Sequence, residues 1–145
     1  MHEAAIKLSS AINNFLALDL YTVNWEHKDT PERWSKKEIL GHLVDSAQIN
    51  LQRFIRCTYE ENFKLVYEQV EWVKANNYQK TDLNELFTFW HLLNKRIMTV
   101  LNNYPEDRLL AQCDNGKDQI SMHTIEFLAH DYVEHLNHHL RQIIN

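Results

Sequence analysis

Apolar residues recur at helical spacing in four long stretches of the chain. The first runs from about Glu3 to Leu18, where Ile6, Ile12, Phe15 and Leu16 fall three and four apart and Ala5 and Leu8 fill in. The second opens at Ser35-Lys36-Lys37-Glu38, which reads as a capping box. The serine oxygen accepts a backbone N–H one turn on, and the glutamate reaches back to the serine's own N–H. Its apolar stripe is Ile39, Leu40, Leu43, Val44, Ala47, Leu51, Phe54 and Ile55, ending near Cys57. The third starts at a cap on Thr81 or Asp82 and carries Leu83, Leu86, Phe87, Trp90, Asn94, Ile97, Leu101 and Tyr104 inward, until Pro105 stops it. The fourth is predicted from a cap at Ser121 to about Ile143.

Between these stretches the pattern weakens. Val66 to Val73 fits two helical turns that end at Asn76-Asn77-Tyr78. From Glu106 to Ile120 the period breaks, and Asp114-Asn115-Gly116 reads as a turn. The connection from Tyr21 to Arg33 is flanked by Trp25 and Trp34, so it should pack down onto the protein. The expected fold is all-α: a four-helix bundle with a short extra helix and longer connections at two points, in one domain over residues 1–145.

Composition agrees with that reading. The 145 residues include two glycines and two prolines, too few for the many tight turns of a strand-rich fold. The net charge of −5 leaves no basic footprint for a nucleic-acid backbone, and basic residues run no further than pairs. No apolar run is long enough to span a bilayer, and the N-terminus lacks the form of a signal peptide. Two cysteines, Cys57 and Cys113, make no disulfide scaffold, so a cytoplasmic protein is expected.

The nine histidines are unusual. Five stand in the last helix. With steps of about 100° per residue from Asp131, His135 and His139 fall near ~40° and ~80°, beside the apolar cluster. His123 and His130 fall on the outer face and His138 on the border, as expected of solvated residues. His2 is terminal, His27 lies in a loop, and His91 could face the bundle interior. His135 and His139, one turn apart, suit chelation of a metal by imidazole. The same spacing suits core hydrogen bonds or plain solvation, and two histidines alone do not complete a site. Periodicity puts His42 off the core stripe of the second helix, near Ser46, Ile49 and Arg53, where an exposed or interfacial histidine is expected.

Two motifs change that weighting. Trp34-Ser35-Lys36-Lys37-Glu38-Ile39-Leu40-Gly41-His42-Leu43-Val44-Asp45-Ser46-Ala47 resembles the second-helix motif of the DinB/YfiT-like superfamily. Asp131 to Ile143, with His135, His139 and then Gln142, resembles its closing motif. Arg141 stands where family members often have glycine, a departure that bears on the pocket rim. The resemblance implies a four-helix bundle with a three-histidine divalent-metal site formed by His42, His135 and His139. It further implies hydrolase or thiol-transferase chemistry on a small molecule, which some relatives perform with low-molecular-weight thiols, and a homodimer.

For three imidazoles, zinc and nickel are the leading metals. Asp131, one turn before His135, and Asp45, one turn after His42, are candidates for orienting a ligand or acting as general base. Gln142 could hydrogen-bond a ligand or a substrate. Each of the three also fits a cap, an ion pair or a packing contact. No Glu-x-x-His pattern supports a ferritin-like di-iron centre, and no glycine-rich phosphate loop is present. The competing reading is a non-catalytic helical module, binding or stress-related, with a structural metal or none.

Overall fold

The computed structural model describes residues 1–145. Five α-helices carry the fold: α1 His2–Leu16, α2 Lys36–Arg56, α3 Gln69–Asn76, α4 Leu83–Asn102 and α5 Ile125–Ile144. The four long ones form the bundle. Both α1 and α2 pack on α4 and α5, so α1 and α2 face each other across its diagonal. This order explains the chain's long connections. A link between diagonal helices must cross the end of the bundle, and residues 17–35 and 103–124 make those two crossings.

The start of α2 is the expected capping box. Ser35 Oγ accepts the Glu38 N–H at 3.1 Å and the Glu38 carboxylate accepts the Ser35 N–H at 2.8 Å. Asp82, of the two candidates, caps α4 through the Glu85 N–H. Asn77 closes α3 in the left-handed region (φ 50°), which asparagine tolerates better than most residues. The connection before α2 does pack down. Trp25 is buried, its indole N–H donates to the Leu20 carbonyl, and its carbonyl accepts the Lys37 N–H.

Several expectations are corrected. The last helix does not start at Ser121; Thr124 caps it, accepting the Phe127 N–H. The reason is a small sheet that periodicity did not reveal. Strand β2, Gln112–Asp114, pairs parallel with β1, Phe63–Lys64, and antiparallel with β3, Met122–Thr124. Pairing with β2 holds residues 122–124 extended. The Ser121 N–H instead donates to Asp114 Oδ1, which also accepts the Gly116 N–H and so builds the expected turn. In α1, Ile6 and Leu16 are exposed while Ala5, Leu8, Ile12 and Phe15 are buried, and on α2 Ile55 is exposed.

The largest departure concerns α2. Every residue from Leu40 to Ala47 is buried, His42, Asp45 and Ser46 included. The helix packs on α4, on α5 and on α3. An element covered on three sides has no single apolar stripe, and its polar residues on the flanks are buried too.

Candidate metal centre

His42 comes from the first half of α2, and His135 and His139 from the last half of α5. Their side chains converge. The Nε2 atom of His135 lies 3.3 Å from His42 Nε2 and 3.1 Å from His139 Nε2. The three rings meet edge to face, with centroids 4.5–5.1 Å apart. One ring nitrogen from each lies within 4.8 Å of the other two, a grouping that could hold a metal ion. His42 is fully buried and His135 and His139 are half-buried.

The outward nitrogens are engaged as well. His139 Nδ1 donates to Gln142 Oε1 at 2.7 Å, and Gln142 Nε2 is 3.2 Å from His138 Nε2. His42 Nδ1 lies 2.9 Å from the Tyr67 hydroxyl. Trp34 packs on the His42 ring with centroids 5.1 Å apart, and Trp72 meets Tyr67 edge-on.

Burial sets the electrostatics. It pushes His42 down to about 3 and His135 down to about 4, with the neighbouring imidazoles adding to the effect. His139 is lowered by burial too, against the Gln142 bond, which raises it. At neutral pH the cluster is therefore three uncharged imidazoles with their Nε2 atoms gathered in one place. That is the donor set a divalent cation takes.

A cleft of about 880 Å³ opens beside the cluster. His139 and Gln142 form part of its wall, with Trp34, Ile39 and Val70 as the apolar part and Asp29, Glu32, Arg33 and Lys36 as charged lining. Of the three accessory residues expected from sequence, Gln142 thus lies at the site. Asp131 is exposed. Asp45 is fully buried, with Oδ1 accepting from Tyr78 Oη at 2.5 Å and from Asn76 Nδ2 at 3.3 Å, and Oδ2 without a partner. Burial raises its carboxyl to about 6, against the Tyr78 bond, which lowers it. The remaining histidines stay outside: His123 stacks on Phe127, His91 and His130 are half-buried, and His138 is exposed. Tyr67 is a contributor that sequence reasoning missed. It stands in an irregular segment between β1 and α3, because the helix expected from Val66 begins only at Gln69.

The sequence matches the DinB superfamily over residues 13–143, and the chain belongs to that superfamily. Among solved structures it is similar to YfiT from Bacillus subtilis, a probable metal-dependent hydrolase with an unusual four-helix bundle topology. The TM-score is 0.72 at 22% identity, covering 99% of this chain and 79% of that one. It is also similar to the mycothiol-dependent maleylpyruvate isomerase, with a TM-score of 0.69 at 12% identity over 94% of this chain. This chain spans 57% of the isomerase. No curated protein sequence gives a significant match. At these identities the likeness is one of fold.

Proposed function

We propose that the chain is a divalent-metal-dependent enzyme, a hydrolase or thiol transferase, acting on a small polar molecule in the cleft beside His139. The observation that carries this reading is the convergence of three Nε2 atoms from two antiparallel helices. A tetrahedral site with metal–nitrogen bonds of ~2.0–2.1 Å needs nitrogens roughly 3.3–3.4 Å apart. The observed separations of 3.1 and 3.3 Å fit that requirement closely. Zinc and nickel suit this donor set best.

Bound there, the ion supplies Lewis acidity toward a water, a thiol or a carbonyl. The chain's own residues do the rest. Burial keeps the imidazoles neutral, and Gln142 holds the proton of His139 on Nδ1. Trp34 shields the buried side of His42. Three histidines with no fourth protein donor in the group leave room for an exogenous ligand, as in catalytic centres. The charged lining of the cleft, with cations Arg33 and Lys36 and anions Asp29 and Glu32, favours a polar substrate over an apolar one.

Metal content by mass spectrometry tests the reading, on tag-free protein and on a His135→Ala/His139→Ala variant. About one equivalent in the first and almost none in the second is expected. A cobalt-substituted sample should then show a water that exchanges with added anions, and hydrolysis and thiol-transfer substrates follow. No metal in either protein, even after incubation with zinc or nickel, overturns the proposal. A cobalt spectrum indifferent to added anions would retain the metal and overturn the enzyme.

A further inference from the structure

We propose that Tyr67 is a positioning residue for His42: its phenol oxygen accepts the Nδ1–H of that ring and turns the Nε2 lone pair toward His135 and His139. The inference deepens the metal-site reading and rests on it for its purpose. A neutral imidazole carries one proton, and the partner of one nitrogen decides the state of the other. For His139 the partner is the Gln142 oxygen, which only accepts. For His42 it is a hydroxyl, which can accept or donate, so the surroundings decide.

The placement of the two ring nitrogens favours acceptance. The Tyr67 hydroxyl lies 2.9 Å from His42 Nδ1, with the two ring planes within 7° of parallel. His42 Nε2 faces His135 Nε2 at 3.3 Å, and a metal held in the cluster needs the Nε2 lone pair, which leaves the ring proton to Nδ1. Trp72, edge-on to the phenol, holds the Tyr67 ring in place.

Nitrogen NMR of the imidazoles in the full-length, metal-free protein reads the tautomer directly. His42 protonated on Nδ1 in the wild type, with Tyr67→Phe moving it toward the Nε2–H form, is the expected result. The same substitution should weaken zinc binding about 10- to 100-fold in a chelator competition, with the urea midpoint of the metal-free protein nearly unchanged. A wild-type His42 carrying its proton on Nε2 overturns the proposal, as does a Tyr67→Phe variant with an unaltered tautomer. A lowered melting point with the tautomer and zinc affinity intact would show a packing role and overturn it too. An Nδ1–H His42 in a wild-type protein that binds no zinc supports the positioning role and sinks the metal reading separately.

Discussion

Gln142 acts on the cluster through one oxygen. Its Oε1 accepts from His139 Nδ1 at 2.7 Å, while its amide nitrogen faces His138 Nε2, so both ends of the side chain are fixed. Replacing it with leucine keeps the bulk and removes the acceptor. The His139 proton is then free to move to Nε2, where it blocks the lone pair. Zinc affinity of Gln142→Leu should fall about tenfold or more, measured by chelator competition. An affinity within twofold of the wild type would show that the amide serves the cleft alone. His139 and His135 were legible in the sequence because an i, i+4 pair beside an apolar stripe is a periodic signal. His42 was not. Its burial comes from a third neighbour on α2, and no pattern within one helix records which other elements will pack on it. Only the motif resemblance pointed there.

At the scale of elements, the turn that follows α3 is held to α2 by a contact that begins at a glycine. A Cβ on Gly41 would stand 2.0 Å from Tyr78 Cδ2, so the Tyr78 ring lies directly on the α2 backbone. That closeness brings the Tyr78 hydroxyl to Asp45, beside which Asn76 adds a second bond. Gly41→Ala gains about 1 kcal/mol of helix propensity. It loses more, because displaced Tyr78 overpacks at a cost of about 1–3 kcal/mol and strips a buried carboxylate of its donor for about 1–3 kcal/mol. A net destabilisation of roughly 1–5 kcal/mol is expected in urea unfolding. Adding Tyr78→Ala to that variant should cost less than Tyr78→Ala does alone, since it also relieves the clash. A neutral Gly41→Ala would refute the contact. The four long helices and the caps at Ser35 and Asp82 were readable, because caps and 3.6-residue periods are local. The three-stranded sheet was not. Its strands are two or three residues long, too short for alternation to show, and β1 pairs with a β2 some fifty positions away. That sheet displaced the start of α5 from Ser121 to Thr124.

For the whole molecule, the buried histidines make stability depend on pH in a definite sense. His42 and His135 titrate at about 3 and 4 when folded, and near ~6.5 when unfolded. Below ~6.5 the unfolded chain binds protons that the folded protein refuses, so stability is lost as pH falls from there toward the folded values. Asp45 works the other way. Its folded value of about 6 exceeds the unfolded one, so its contribution is present at low pH and is lost as pH rises through 6. Three lowered imidazoles outweigh one raised carboxyl. The metal-free protein should therefore lose several kcal/mol between about pH 6.5 and 4, followed by urea unfolding at each pH. His135→Ala/His139→Ala should flatten that slope, whatever its effect on stability at pH 7. Asp45→Asn should steepen it, because the opposing contribution is gone. Saturating zinc adds stability at pH 7, about 4 kcal/mol at a thousand times its dissociation constant. The addition should vanish as protons displace the ion from the imidazoles. A metal-free protein as stable at pH 4.5 as at pH 7 would mean the histidines are not held neutral by burial. The cluster would then be open to water, and the donor set proposed for the metal would lose its physical basis.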